Sequence, residues 1–454
     1  MIGSGKHGVP TGFTPALLER IAQAMLHAFD AAHGGFGTGQ KFPHAEAIDF
    51  ALLWAEKTAN PAFREIVLRS LTEMAQGALM DPVEGGFFRY CSTRDWRQPW
   101  TEKLLETQAG LLRNYLEAWQ LFGRDEFRKV AQKTVSYVEH TLRDPATGAW
   151  FAGQEADDGY YALPERLRVD RKPPRVDPLI ATRPLAATIS AFFKAGAALG
   201  DDVATRRALQ ATDFLVERLI SRGKGAYHSC TADGERQILG LVGDQVFAVR
   251  ALLHAVQFGG CNDRLAVVED LIGSLRAKES AQHGGFSDVR DDAPHFAQSR
   301  RRHEALLENG LLAEALLRAR WLLARPEWRT LAERALCAFA ADYPLYGYHA
   351  AEYGRAVELF FHPPQCLFVV GEQGDPRREE LRAVARRTYA PSKLVLALDP
   401  RREEGLVARH GFAAAERPFA CVRVGGGDVE TLTDPARLPA VMAAADAARS
   451  GFTA

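Results

Sequence analysis

One short pattern, a glycine or glycine pair followed by an aromatic residue, recurs along this chain and constrains its fold more than any other feature. GGFG begins at Gly34, GGFF at Gly85, GAWF at Gly148, GAYH at Gly225 and GGFS at Gly284, with a weaker YGYH at Tyr346. The copies stand 51, 63, 77, 59 and 62 residues apart, so each interval holds two helices and their links. Between them lie short polar or proline-bearing turns: TANP at 58–61, FGRD at 122–125, LGDD at 199–202, GGCND at 259–263 and ARPE at 324–327. The repeating unit is therefore helix, aromatic loop, helix, tight turn.

Period and caps identify the helices. In TPALLERIAQAMLHAF, Thr14 suits an N-cap, Pro15 the first helical position, and Leu17, Leu18, Ile21, Met25 and Phe29 form one apolar stripe. NPAFREIVLRSLTEM repeats the device with Asn60 and Pro61. Helices after the aromatic loops, such as RPLAATISAFFKAGAAL, are small or apolar nearly all round and read as buried. Six amphipathic helices alternating with six buried ones make an outer ring around an inner ring. The expected fold is mainly α, an (α/α)6 toroid of six helical hairpins over residues 1–362. All aromatic loops then fall at one mouth, where the inner helices point their N-termini. The loop from Asp81 to Lys103 is one wall of that funnel.

From Pro363 the pattern changes. CLFVVG, KLVLALD and FACVRVG read as strands and DPRREELRAVARRTY as a helix capped by Asp375, giving a small α/β appendage over 363–454. Its GEQGD turn reads as a connection rather than a phosphate loop.

Composition excludes more than it selects. Of 454 residues, 47% are hydrophobic and 25% charged, with a net charge of −1, so nothing calls for nucleic acid or an anionic membrane. No apolar run approaches the ~18 residues of a membrane span, and the first residues lack a signal-peptide core. The cysteines are scattered without a C-x-x-C pair, which points to a reducing cytoplasm and away from disulfides, zinc or a redox cycle. No metal and no cofactor are expected, and the oligomeric state stays open.

Several stretches occur in the order found in the thioredoxin-domain-containing, spermatogenesis-associated 20-like family: FDAAHGGFGTGQKFPHAEA, GGFFRYCSTRDWRQPWTEKLLETQAGLL, QEADDGYYALPE, GDQVFAVRALL and LLENGLLAEALLRA. The chain resembles that family over almost its whole length. The resemblance implies a six-hairpin, glycosidase-like toroid related to the N-acylglucosamine 2-epimerase fold. It also implies an N-terminal thioredoxin-like domain, whose place precedes this sequence; a separate thioredoxin-like partner is one expectation. Retained family positions are Lys41, Arg94, Asp95, Trp96, Glu102, Lys103, Glu155, Asp157, Asp244, Gln245, Glu308 and Asn309. Where the family reads PHFEKMLYDQA the chain has PWTEKLLETQA, with Trp100 and Thr107 at the His and Asp. Where it reads YTDWNA the chain has IATRPLA, with Arg183 and Pro184 at the Trp and Asn.

The fold class and the mouth lead to carbohydrate chemistry. Glycoside hydrolysis needs two carboxyl groups across one bond, and epimerisation beside a carbonyl needs an acid and a base on opposite faces. Candidates for these tasks are Asp95, Glu102, Glu155, Asp157, Asp244, His303 and Glu308. Candidate ligand contacts are Phe36, Lys41, Arg89, Trp96, Trp100, Arg183, Gln245 and Asn309, with Trp96 and Trp100 as stacking faces. The alternative for Glu102 is a buried ion pair with Lys103. Basic runs at 164–175 and 299–304 fit an anionic, sugar-like ligand or a solvated surface. Two other readings stand beside the epimerase, isomerase or hydrolase one: a non-catalytic binding or scaffold protein, and a prenyl- or terpene-type toroid.

Overall fold

The computed structural model describes residues 13–231, 233–280, 284–288, 295–413 and 417–449, with the side chains of 295–305 and 448–449 left out. Twelve long helices among these residues build the barrel. The outer ones are α1 (Ala16–Ala28), α3 (Pro61–Gln76), α5 (Asp125–Tyr137), α7 (Asp202–Phe214), α9 (Leu265–Leu275) and α11 (Trp328–Cys337). The inner ones are α2 (Ala45–Thr58), α4 (Leu105–Phe122), α6 (Thr182–Leu199), α8 (Val242–His254), α10 (His295–Leu323) and α12 (Ala351–Phe361). Each inner helix packs on the next and α12 packs on α2, which closes the ring. The first outer helix completes the last hairpin: Phe13 meets Phe360 with ring centroids 5.3 Å apart, and Gly354 of α12 leaves room for Phe50 and Ile21. The fold is an (α/α)6 toroid.

Local chemistry explains the ends of these helices. Asn60 accepts the Ala62 N–H at 2.9 Å with Pro61 in the first turn, as its sequence predicts. Thr14 does not cap α1 with its side chain; only its backbone carbonyl is used, by Leu17 N–H at 3.1 Å. Gly123 and Gly200 close α4 and α6 in the left-handed conformation.

Four of the six aromatic loops share one turn; GAYH instead lies in the strand Gly225–Cys230 and YGYH in the 3-10 segment Tyr343–Ala350. Phe29 bridges Phe36, Met80 bridges Phe87, Arg143 bridges Trp150, and Glu279 bridges Phe286, each as a single antiparallel pair. At its start the carbonyls of Asp30, Asp81, Asp144 and Ser280 accept the N–H of Gly34, Gly85, Gly148 and Gly284. The side chains of the three aspartates also accept N–H groups inside the turn. At Gly86 the backbone has φ +74° and a side chain would strike the Tyr137 ring, so only glycine fits. An amide on the following inner helix then clamps the aromatic residue. Gln108 holds the N–H and C=O of Phe87, both at 2.7 Å, and Asn309 holds those of Phe286, both at 2.8 Å. The turns at Gly85 and Gly284 are thus seated alike, each held by an amide of the inner helix that follows it.

The chain after α12 forms a four-stranded sheet from β1 (Gln365–Val370), β2 (Lys393–Leu398), β3 (Phe419–Val424) and β4 (Gly427–Leu432), in the order β2-β1-β3-β4. The β1/β2 pair is parallel; β1/β3 and β3/β4 are antiparallel. Strand alternation gives the sheet two apolar faces. Cys366, Phe368, Val370, Leu394, Leu396 and Leu398 join the barrel's own hydrophobic core. Leu367, Val369, Val395 and Ala397 pack instead with Leu381 of α13 (Pro376–Arg387) and Met442 of α14 (Leu438–Arg449). The sheet covers the barrel end opposite the mouth, near the C-terminal ends of inner helices: Asn262 donates to Ala397 O at 2.6 Å, and Arg382 to Phe258 O at 3.2 Å. Asp375 caps α13 through the N–H groups of Arg377 and Arg378, so a carboxylate already occupies the end of the GEQGD turn.

Candidate functional site

One half of the mouth is built from charges that satisfy one another. Lys41, with no exposed side-chain surface, donates to Asp30 at 2.9 Å, Gly34 O at 2.9 Å and Gly37 O at 2.7 Å. Arg94 adds a two-pronged contact to Asp30 at 2.6 and 2.8 Å. Burial alone would raise the Asp30 carboxyl, but Arg94 and Lys41 outweigh it and hold it well below the usual carboxylate range. One turn further on, Lys103 donates to Asp81 at 2.8 Å and to Gly85 O at 2.9 Å, and Arg168 reaches the same carboxylate at 2.8 Å. Lys103 also lies 4.4 Å from the Tyr137 ring centre.

These pairs correct several expectations. Lys41 has no donor left for a ligand, and Lys103 is paired with Asp81 rather than Glu102. Trp96 is fully buried, donates Nε1–H to His33 O at 2.9 Å and lies against Gly35 and Gly77, so it offers no stacking face. Gln245 is buried with Nε2 on Gly240 O at 3.2 Å and Oε1 taken by Ser274. Asn309 is the clamp on Phe286. Asp157 caps the short helix Asp158–Tyr161 through Tyr160 N–H at 2.9 Å. Glu155 pairs with Arg175 at the exposed surface, and Asp95 sits on an exposed turn, held low by Thr93. Glu102 takes Arg89 Nη1 at 2.8 Å, both partly exposed. The side chain of His303 and the 299–304 cluster up to Ala305 lie outside the described side chains.

Beside these pairs runs a chain of rings. Trp100, 52% exposed, stacks on Tyr90 with centroids 6.1 Å apart, and Tyr90 stacks on Phe42 at 4.8 Å. His44, Tyr348 and His349 continue it: His44 lies 5.1 Å from Tyr348 and 5.2 Å from His349, while Phe36 is buried under Tyr348 at 5.0 Å. His44 holds φ +47° immediately before α2, a left-handed backbone that a non-glycine residue adopts at a cost. Flat apolar faces with polar edges suit a ligand that has both.

Across the ring the charges are arranged differently. Arg183 begins α6, Asp244 begins α8 and Glu308 lies on α10, three consecutive inner helices. Arg183 stands 3.8 Å from Glu308 and 5.2 Å from the Phe247 ring centre. Gly243 permits this: a side chain there would lie 2.5 Å from Glu308 Oε1. Asp244 is fully buried and its Oδ2 meets Nδ1 of His228 at 3.0 Å, while Oδ1 finds no hydrogen-bond donor among the described residues. Burial raises the Asp244 carboxyl, against the pull of His228 and Arg183. His228 belongs to strand Gly225–Cys230 and keeps 41% of its side chain exposed. A carboxylate on Nδ1 fixes the tautomer and leaves Nε2 to accept or donate a proton.

Sequence reasoning left two of these side chains out of its candidates. His228 sits in the fourth aromatic motif, and its place one strand before an acid-bearing inner helix was the available signal. Glu46 is in the first turn of α2, open to the lumen yet ringed by protein, and burial raises its carboxyl. In the closed ring α2 and α8 stand opposite each other, so Glu46 and His228 occupy opposing walls.

Fold and mouth together define the class: an (α/α)6 toroid of the kind seen in sugar epimerases and glycoside hydrolases. It is similar to a cellobiose 2-epimerase from Spirochaeta thermophila DSM 6192, with a TM-score of 0.57 and 16% identity over 77% of this chain and 99% of that one. A cellobiose 2-epimerase from Bacillus thermoamylovorans B4167 gives 0.60 and 12% over 76% and 98%, and a D-mannose isomerase 0.58 and 12% over 77% and 99%. In sequence, homologues are the spermatogenesis-associated protein 20 of mouse, 29% identical over 160 residues, and of human, 31% over 143 residues. These matches cover 34% and 31% of this chain and span only 20% and 18% of the relatives' length. No family model matches. Among the described residues no helix is long and apolar enough to cross a membrane.

Proposed function

We propose that the chain is a carbohydrate-active protein that binds a polar, sugar-like ligand at its mouth and moves a proton beside the sugar's carbonyl, as an epimerase or isomerase does. The observation that carries this is the His228–Asp244 pair: a buried carboxylate orients an exposed imidazole at the rim of the funnel. In the proposed reaction Nε2 of His228 takes the hydrogen from C2 of an open-chain aldose, leaving an enediolate. Arg183 balances the charge on oxygen. Return of a proton to C1, with the O2 proton passing to O1, gives the ketose; delivery of a proton to the other face of C2, a role proposed for Glu46 on the opposing wall, gives the epimer. Trp100 and Tyr90 are the proposed platform for a ring. The similarity to two cellobiose epimerases and a mannose isomerase supports the reaction class through the fold alone.

The test is proton NMR in D2O with glucose, mannose, cellobiose and a sugar phosphate. Exchange of the C2 hydrogen is expected with one of them and should vanish in His228→Gln. A second reading has its own support, since most retained charged positions serve the framework. Ligand-induced stabilisation without exchange would replace catalysis by binding.

A further inference from the structure

The waist of the barrel, below the mouth, carries a second charged layer. Asp49 receives Arg113 and Arg355, the latter at 3.4 Å, and Glu117 receives Lys194. Glu314 is shared by Arg318 at 2.9 Å, Arg355 at 3.3 Å and Arg250 at 3.4 Å. Glu352 adds a fourth carboxyl group, 3.2 Å from Arg355. Inside the toroid, Asp49, Glu117, Glu314 and Glu352, with Glu46 near Arg113, thus face five cations: Arg113, Lys194, Arg250, Arg318 and Arg355.

The α/β module closes this layer from the far end and brings two more cations, Arg386 and Lys393. Arg386 donates to Phe258 O, and Lys393 to Ala385 O at 2.9 Å, Arg386 O at 2.7 Å and Thr388 O. Among the described residues neither forms an ion pair with a carboxylate. Between barrel and module lies a cavity of about 70 Å³, lined by Arg386, Lys393, Tyr389, His254 and the inward charges of the waist. At ~10–15 Å³ per water it has room for roughly five waters, or for one small polyatomic ion.

Two observations point to an anion. The first is charge: the enclosed layer carries more cations than carboxylates, and buried charge without a counterion is costly. Burial drives Glu352 towards its neutral form and also lowers Lys194 and Arg250, while His254 is pulled far down and adds no charge. Burial and the nearby Lys194 and Arg386 lower Lys393 to about 7, though the three carbonyls it rests on favour its charged form. The second is unused hydrogen-bonding capacity: Arg386 Nε, the Tyr389 hydroxyl and His254 Nδ1 are buried polar atoms with no partner among the described residues.

We propose that this cavity binds a small oxyanion with the size and charge of inorganic phosphate, clasped between the barrel waist and the α/β module. The site is separate from the mouth and does not depend on the reading of His228. Its ligands come from both parts of the chain, so a bound anion would tie the module to the barrel.

Desalted protein, dialysed to equilibrium against radiolabelled phosphate at fixed ionic strength, is expected to hold about one equivalent per chain. Its melting temperature should rise with phosphate by several degrees beyond the rise in sodium chloride of equal ionic strength. Tyr389→Phe removes a hydroxyl that bonds to no described residue, so it should fold normally and weaken phosphate binding roughly tenfold or more. Arg386→Gln should weaken it further, and His228→Gln should leave it unchanged. If folded wild type binds no phosphate and melts alike in phosphate and chloride, the proposal is wrong. It is equally wrong if binding survives undiminished in both Tyr389→Phe and Arg386→Gln.

Discussion

The two halves of the mouth use similar residues to opposite ends. Around Asp30 and Asp81 each buried carboxylate is met by a lysine, an arginine and turn N–H groups, so every strong donor is engaged. Around Asp244 the buried carboxylate has, among the described residues, one exposed histidine and an oxygen left over. A buried acid is therefore not a functional signal in itself. What separates the halves is completeness: a satisfied network holds a loop in place, and an unsatisfied one has capacity for chemistry.

The largest test of this contrast is Lys103→Met. It leaves Asp81 buried with only Arg168 as cation, and about 3–5 kcal/mol of stability should be lost in urea denaturation. A loss below 1 kcal/mol would show that the saturated half is not framework. Next comes His228→Gln, expected to cost under about 1 kcal/mol of stability yet at least ~100-fold in C2 exchange. Equal losses in stability and exchange would erase the distinction between the halves.

Acid titration sharpens the comparison further. Asp30 and Asp81 have carboxyls lowered by their partners, so their contribution is present above the unfolded value of ~3.9 and disappears as pH falls through the folded values. Asp244 is raised, so its ionisation costs stability as pH climbs from ~3.9 to its folded value. Asp244→Asn should keep the acid-side loss and raise stability at pH 7, read from urea midpoints between about pH 1.5 and 7. An unchanged midpoint at neutral pH would contradict the strained carboxylate. The smallest effect is expected from Glu102→Gln, which loosens a half-exposed pair with Arg89 and should shift stability by under ~0.5 kcal/mol.

The barrel was legible because its signals are local. The Gly-aromatic motif marks each turn, Asn60–Pro61 marks a helix start, and apolar stripes distinguish outer from inner helices. The site was less legible because pairing is not local: Arg168 reaches Asp81 across 87 positions, and Arg94 reaches Asp30 across 64. Nothing near Trp96 in the chain reveals that its indole N–H is engaged by His33, 63 positions away. The waist charges did leave a trace. Arg113 and Glu117, or Glu314 and Arg318, are opposite charges four apart on inner helices, a spacing that puts both on one face. In a closed ring that face is the lumen.

The closing contact of the ring also bears on how the chain is made. Helix α1 leaves the ribosome before the other barrel helices, but its inner mate is α12, at residues 351–361. At ~5–20 residues per second, α1 waits roughly a quarter of a minute to a minute for its partner. During that interval Leu17, Leu18, Ile21 and Met25, all fully covered in the finished ring, lack the surface that covers them. The join between first and last hairpin is thus a long-range step that local helix formation cannot hasten. It is also the stage at which the growing chain is most open to wrong partners.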